Sequence, residues 1–224
     1  MKIIRKDSEN SLIKSFVKEF AKISTKRFKQ NKRLSFALTG GTSPINLYKK
    51  LSQVDLNWNN IDFFWGDERF VHQKSKDSNY NIGFKYLIKK IKIKKSQIYH
   101  IDTKKKSLNL SALDYEKKIK KYFKKKKISF DVMLLGLGHD GHIASIFPKD
   151  LKLKSKRITA TVIRKDFQRI TLNINTINLA KNIFLWLPSK KITKIFIKKK
   201  NQKNKKIPVA FLKKNKSTIF LRRR

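Results

Sequence analysis

Short apolar segments recur along the chain, and polar or basic residues separate them. Nearly continuous apolar runs, typical of strands buried on both faces, occupy residues 34–38, 61–65, 128–135 and 183–187. Apolar residues spaced three and four positions apart predict helices over residues 8–29, 44–51, 79–90, 110–126 and 191–198. We also expect short helices after residue 142 and near residue 177, and strands over 169–173 and 218–221.

Strands that alternate with helices predict a doubly wound, mostly parallel α/β sheet with helices on both faces, a three-layer, Rossmann-like fold. We expect a single domain over residues 1–224, because the chain has no internal repeat and no Pro-, Gly- or Ser-rich linker. Ligands of such sheets bind beyond the carboxyl ends of the strands. Three unusual polar segments directly follow predicted strands and should therefore meet around one crevice: residues 40–43, 67–69 and 136–142.

The composition narrows the class of protein. Apolar residues make up 39% of the chain and aromatic residues 11%, which is enough for a full core. The absence of Cys excludes disulfides, thiolate zinc sites and cysteine nucleophiles. No apolar run approaches the roughly 20 residues of a membrane span, and the first residues lack the apolar block of a signal peptide. We therefore expect a cytoplasmic protein without a membrane partner.

The formal net charge is +42, from 57 Lys and Arg against 15 Asp and Glu. Nucleic-acid binding is one explanation. The other is a general bias of the proteome toward Lys, Ile and Asn. We favour the bias and expect no specific nucleic-acid partner, because the excess is mostly Lys scattered over every segment rather than Arg and aromatic residues on one face. The charge should still attract anionic substrates.

Residues 39–44 (TGGTSP) follow the first predicted strand. Gly40 and Gly41 permit positive φ and close approach to a ligand, and Thr42 and Ser43 add hydroxyl groups. Ser43 is expected to cap a helix whose first residue is Pro44, so that free N–H groups face a phosphate. An ordinary capped turn between strand and helix fits this segment equally well.

Residues 67–69 (DER) follow another predicted strand. Arg69 can bind a phosphate with two parallel hydrogen bonds, and Asp67 can orient Arg69 or a nearby base. Taken alone, this segment fits a surface ion pair at least as well.

Residues 136–142 (GLGHDGH) contain two of the four His residues of the chain. His142 is a candidate for proton transfer near neutral pH, and Asp140 can fix its tautomer. A dinucleotide-binding loop is disfavoured because the third glycine is missing at the required offset. A metal site is also disfavoured, since His139, Asp140 and His142 lack clear further ligands.

Taken together and in order, the motifs resemble those of the 6-phosphogluconolactonase family, within a superfamily of sugar-phosphate isomerases. The resemblance rests on LTGGTSP at residues 38–44, WGDERFV at 65–71 with DSNY at 77–80, DVMLLGLGHDGHIASIFP at 131–148, RITL at 169–172, and Lys191 after a strand and turn. The chain departs from the family pattern at Pro188, where Gly is usual, and at Asp166-Phe167-Gln168, where a Pro often precedes Arg169. It also ends in Leu221 and three arginines instead of an Ala-rich helix.

The resemblance implies hydrolysis of 6-phospho-D-glucono-1,5-lactone in the oxidative pentose phosphate pathway, without a cofactor or metal. It implies that His142 is the general base and that Asp140 or Asp67 orients the imidazole or the attacking water. Backbone N–H groups at Gly138–Gly141 are candidates for stabilising the oxyanion. The phosphate is expected to bind Gly40, Gly41, Thr42, Ser43, Arg69, Arg169 and Lys191.

Related amino-sugar-phosphate isomerases, which are deaminases, share the Asp-Gly-His core but usually continue with Ala-Phe-Asn-Glu-Pro. Here residues 144–148 read ASIFP, which lacks the acidic residue and favours a lactonase. The isomerase, a basic nucleic-acid binder and an inactive relative remain as alternatives. The resemblance also implies a monomer.

Overall fold

The computed structural model describes residues 1–124, 127–148, 157–201 and 207–223. Ten strands lie in these residues: β1 (Lys2–Lys6), β2 (Leu34–Leu38), β3 (Ile61–Trp65), β4 (Asp67–Arg69), β5 (Ile98–Tyr99), β6 (Val132–Leu135), β7 (Thr159–Ile163), β8 (Gln168–Leu172), β9 (Asn182–Leu187) and β10 (Ser217–Arg222). Six α-helices accompany them: α1 (Glu9–Lys29), α2 (Ile45–Leu51), α3 (Asn79–Tyr86), α4 (Leu108–Phe123), α5 (Ile174–Leu179) and α6 (Lys190–Asn201).

Seven strands form one sheet in the order β1-β10-β9-β6-β2-β3-β5, and every pair of neighbours is parallel. The four central strands are almost entirely buried, which explains their continuous apolar sequences. This architecture confirms the predicted three-layer α/β fold.

Ring contacts show how the helices cover both faces of the sheet. Phe36 of β2 packs against Phe20 of α1, with ring centroids 4.6 Å apart. Phe64 of β3 packs at 4.9 Å against Tyr122 of α4. Phe36 is the register partner of Phe63, so Phe64 belongs to the opposite face of the sheet. The alternation of side chains along a strand thus places α1 and α4 on opposite faces.

A second, antiparallel sheet of three strands, β4-β8-β7, was not predicted as a sheet. Residues 67–69 were predicted to be a polar segment beyond β3, but they pair with β8 as β4. The junction is Gly66, whose N–H donates to Leu38 O (2.9 Å) and whose carbonyl accepts from Leu172 N–H (2.8 Å). The small sheet is therefore attached at the carboxyl edge of the large one.

Several predicted bounds differ from the structure. The α-helix predicted over 79–90 ends at Tyr86, and a 3₁₀ turn follows at Ile88–Lys90. The helix predicted over 110–126 starts at Leu108, because Ser107 Oγ accepts the Leu110 N–H, and its last two residues lie outside the described residues. No helix follows His142 within residues 143–147, which form a turn closed by a bridge between Ile143 and Ile146.

Strands β1, β5 and β7 were not predicted. Within the described part of the chain, no helix is both long and apolar enough to cross a membrane.

Candidate functional site

A cleft of about 610 Å³ opens at the carboxyl edge of the large sheet, where the segments after β2, β3, β6 and β9 converge. These four strands are neighbours in the sheet, so segments far apart in sequence become adjacent in space. The cleft is lined by nine of the ten residues predicted from the sequence: Gly40, Gly41, Thr42, Ser43, Asp67, Arg69, His142, Arg169 and Lys191. The tenth, Asp140, contacts His142 directly.

The loop after β2 offers unpaired backbone donors to the cleft. Within the described residues, the N–H groups of Gly40, Gly41, Thr42 and Ser43 make no hydrogen bond. Gly41 has a φ of 77°, as the predicted turn requires. The predicted cap was wrong: α2 begins at Ile45 with Pro44 before it, and Ser43 makes no capping hydrogen bond. Instead, Ser43 O accepts a hydrogen bond from Trp186 Nε1 (3.0 Å), which ties the loop to β9.

His142 and Asp140 form a close pair on the loop after β6. Asp140 Oδ1 lies 2.6 Å from His142 Nδ1 and also accepts the His142 backbone N–H at 3.1 Å. These hydrogen bonds hold the pKa of Asp140 below its usual value, although partial burial opposes the shift. A carboxylate on Nδ1 fixes the tautomer, so Nε2 is left as the proton acceptor.

The imidazole of His142 has two further close neighbours. Its ring centroid lies 4.4 Å from that of Phe147. The ring also lies against Gly138, where a Cβ atom would be 2.0 Å from His142 Cε1. Only glycine leaves room for the ring at that position.

Asp67 is a buried carboxylate at the floor of the cleft. Ser145 Oγ donates to its Oδ2 at 2.6 Å, and Asn79 Nδ2 donates to its backbone carbonyl at 3.0 Å. Burial raises the pKa of Asp67, while the Ser145 hydrogen bond and the nearby charges of His142, Arg69 and Arg169 partly oppose that rise. Sequence reasoning did not single out Ser145 or Asn79, although both lie inside the quoted motifs.

Arg69 and Arg169 are register partners across β4 and β8, so their side chains share one face of the small sheet. Like charges directly opposite each other destabilise a sheet. Arg69 Nη1 donates to Asp77 O (3.1 Å), and the Asp77 carboxylate lies 3.6 Å away. Two arginines that line one cleft concentrate positive charge there, which favours the binding of an anion.

Lys191 lies in the first turn of α6, where Ser189 Oγ accepts the Ile192 N–H at 3.2 Å. The loop that carries Pro188 therefore still brings Lys191 to the cleft. A cation in the first turn opposes the helix dipole, and Lys191 adds its positive charge to the cleft.

Two predicted oxyanion donors are already engaged. Gly138 N–H donates to His142 O (2.9 Å), and Gly141 N–H donates to Gly138 O (3.0 Å). Of the predicted segment, the backbone N–H of His139 is left as a candidate, since that of Asp140 interacts with its own carboxylate. In the residues that the structure describes, no cluster of three or more His, Asp or Glu side chains is placed to hold a metal ion.

A cationic cleft beside an Asp–His pair, at the carboxyl edge of a parallel sheet, is typical of enzymes that act on small anionic metabolites. The chain belongs to the family described as glucosamine-6-phosphate isomerases/6-phosphogluconolactonase, whose model matches residues 7–221.

Individual relatives narrow the comparison. A 6-phosphogluconolactonase from Nostoc sp. is 35% identical over 159 residues, which cover 69% of this chain and 66% of that protein. A 6-phosphogluconolactonase from Thermotoga maritima is 29% identical over 89% of this chain and 90% of its own length. Among solved structures, the 6-phosphogluconolactonase from Trypanosoma cruzi superposes with a TM-score of 0.86 at 28% identity, over 99% of this chain and 94% of that one.

Proposed function

We propose that this protein hydrolyses 6-phospho-D-glucono-1,5-lactone to 6-phospho-D-gluconate and that His142 is the general base. The observation that carries the proposal is the 2.6 Å pair of Asp140 and His142 at a cleft that Arg69 and Arg169 also line. Family membership supports the reaction, and the geometry supports the roles of the residues.

The reaction needs only a base, an oxyanion site and a phosphate site. His142 Nε2 takes a proton from water as the water oxygen attacks the lactone carbonyl carbon. The ring C–O bond then breaks, and the imidazolium returns the proton to the departing ring oxygen. Asp140 holds the imidazole, and Asp67 orients the water with the carboxylate oxygen that Ser145 does not engage.

The phosphate binds to the cationic residues that line the cleft. Arg69 and Arg169 hold it from β4 and β8, Lys191 holds it from α6, and the N–H groups of the loop at residues 40–43 complete the site. Holding the phosphate positions the carbonyl beside His142, which lowers the entropic part of the barrier. The site needs no cofactor, because the lactone is already an activated ester.

We further propose that the protein works as a monomer in the cytoplasm. Size-exclusion chromatography with light scattering tests the first statement, and cell fractionation tests the second.

The test is hydrolysis of freshly generated lactone, coupled to 6-phosphogluconate dehydrogenase, after subtraction of the spontaneous rate. His142→Ala is expected to lower kcat by about 10²- to 10⁴-fold, the usual range for losing a general base. His139→Ala is the matched control, because His139 also lines the cleft but, among the described residues, its side chain makes no hydrogen bond with Asp140. Near-normal turnover of the His142 variant would remove His142 from the mechanism.

A deaminase of amino-sugar phosphates is the alternative within the same family. Release of ammonia from glucosamine 6-phosphate, with no hydrolysis of the lactone above background, would favour it. No activity on either substrate, from protein shown to be folded, would favour the non-enzymatic alternatives.

A further inference from the structure

The hairpin between β7 and β8 lies beside the cleft. Its turn is closed by a hydrogen bond from Arg164 N–H to Phe167 O (3.1 Å). Asp166, within this turn, lines the cleft together with Arg169. The mechanism above gives Asp166 no role, although it is an acidic residue in a site built for an anion.

Both carboxylate oxygens of Asp166 accept hydrogen bonds from Arg169. Arg169 Nη1 donates to Asp166 Oδ1 at 2.9 Å, and Arg169 Nη2 donates to Asp166 Oδ2 at 2.5 Å. Arg169 Nη1 also donates to Phe167 O at 3.0 Å. Three of the five N–H groups of the guanidinium are thus engaged by the hairpin turn.

The two remaining N–H groups lie on Nε and Nη2, which form one edge of the guanidinium. Neither has a hydrogen-bond partner among the described residues. Two parallel N–H groups on one edge match two oxygens of a phosphate. Asp166 occupies the Nη1–Nη2 edge, and the contacts of the turn therefore leave free the other edge that can bind an oxyanion with two hydrogen bonds.

The pair differs from an ordinary surface ion pair, which would contribute little to stability. The Arg169 side chain is only 9% exposed, whereas that of Asp166 is 59% exposed. Arg169 stands opposite Arg69 in the sheet, and the ring of Phe167 lies 5.3 Å and 5.5 Å from the two guanidinium carbons. Without a counter-charge, repulsion would favour rotation of one arginine away from the cleft.

Asp166 stays ionised under assay conditions. The hydrogen bonds from Arg169 hold the pKa of its carboxyl well below the usual range. The hydrogen bonds between Asp166 and Arg169 should therefore persist at any pH at which the activity is measured.

We propose that Asp166 is a positioning residue for phosphate binding. It holds the Nη1–Nη2 edge of Arg169 so that the Nε–Nη2 edge is presented to the substrate phosphate. The inference rests on the proposed role of Arg169 as a phosphate ligand. Asp166 itself does not touch the substrate.

The test is steady-state kinetics of Asp166→Asn, which keeps the shape of the side chain and removes its charge. KM for the phosphorylated lactone is expected to rise about 3- to 10-fold, the scale of one hydrogen bond, with kcat within about twofold of wild type. Turnover of unphosphorylated glucono-1,5-lactone should not change. Asp55→Asn is the charge-matched control, because Asp55 is exposed and precedes the amino end of β3, opposite the cleft.

Arg169→Gln separates the two possible failures. If Arg169→Gln raises KM and Asp166→Asn does not, the positioning role is wrong and the phosphate site stands. If neither variant changes KM, the proposed role of Arg169 fails, and the role of Asp166 fails with it. A lower KM in Asp166→Asn would mean that the carboxylate competes with phosphate, which also overturns the proposal.

The double variant tests whether Asp166 acts through Arg169. We expect its KM to match that of Arg169→Gln alone, because a positioning residue has no effect once its target is gone. Independent, multiplying effects of the two substitutions would contradict the inference.

Discussion

At the scale of single residues, the cleft depends on a second layer of side chains that do not carry out the chemistry. Asp67 is fixed by Ser145 through its carboxylate and by Asn79 through its carbonyl. Asn79 in turn packs against Gly40, and its buried Oδ1 has no hydrogen-bond partner among the described residues. The loop after β2 and the backbone of Asp67 after β3 are thus coupled through one amide group.

This coupling predicts the effect of Gly40→Ala. A Cβ atom at Gly40 would lie 1.7 Å from Asn79 Oδ1, so Asn79 must move and release Asp67. We expect a loss of about 1–3 kcal/mol in the free energy of unfolding, typical of overpacking, and a clear fall in kcat/KM. Chemical denaturation and lactone hydrolysis measure the two effects.

Gly66→Ala is the matched control, because the atoms nearest to its new Cβ are 3.6 Å and 3.9 Å away. It should cost much less stability. The clash itself is tested by Gly40→Ala in an Asn79→Ala background, where the substitution should cost less than in wild type. Equal costs in both backgrounds would show that the clash with Asn79 is not the cause.

At the scale of secondary-structure elements, buried parallel strands could be predicted because their apolar runs are continuous and their helices have regular spacing. The small antiparallel sheet could not be predicted in this way. Its strand β4 has only three residues, which is too short for any periodicity, and all three are charged. Its pairing with β8, about 100 residues later, is a tertiary contact. Sequence therefore predicted that Arg69 and Arg169 share a cleft but not that they face each other.

The carboxylate of Glu68 joins β4 to α3. It accepts hydrogen bonds from the backbone N–H groups of Arg69, Asn79 and Tyr80 and from Ser78 Oγ, at 2.7–3.1 Å. Burial nevertheless raises its pKa from 4.5 to about 7, against the opposing effect of those hydrogen bonds. The helix start is thus fixed by a group that titrates near neutral pH.

This shift predicts how stability depends on pH. Between about pH 4.5 and pH 7 the folded protein keeps the Glu68 proton and the unfolded chain releases it. The contribution of Glu68 to the free energy of unfolding is therefore largest below pH 4.5. It falls by about 3 kcal/mol at most as the pH rises to 7. Denaturant unfolding at pH 5 and pH 8 measures the change.

Glu68→Gln supplies the comparison, because it cannot titrate. It should be less stable than wild type, since its amide nitrogen cannot accept from the backbone donors, and the fall between pH 5 and pH 8 should be smaller. The same fall in both proteins would show that other groups cause the pH dependence.

At the scale of the whole molecule, the site follows from the order of the strands. The segments after β2, β3, β6 and β9 meet because these strands are neighbours in one parallel sheet. Sequence motifs could identify those segments, and the rule for parallel sheets could place them together. What the motifs could not provide was the set of supporting contacts. Those from Ser145 and Asn79 depend on packing between different elements. Those from Phe147 and Asp166 each depend on the conformation of a single loop.

The net charge of +42 also acts at this scale, and it leads to a prediction about salt. A phosphorylated lactone carries about −1.5 to −2 charges at pH 7, so the field of the protein should draw it toward the cleft. The screening length falls from about 30 Å at 0.01 M salt to about 10 Å at 0.1 M and 3 Å at 1 M. We therefore expect kcat/KM for the phosphorylated lactone to fall at least severalfold over this range, mainly through KM.

Unphosphorylated glucono-1,5-lactone is the control, because it has no charge for the field to attract. Its kcat/KM should change little with sodium chloride, which is preferred to sulfate or phosphate because those anions would compete for the arginines. An equal response of both lactones would mean that salt acts on the enzyme as a whole. A response confined to the phosphorylated lactone would show that the scattered lysines help to attract the substrate. That role would hold even if a compositional bias is the reason for their number.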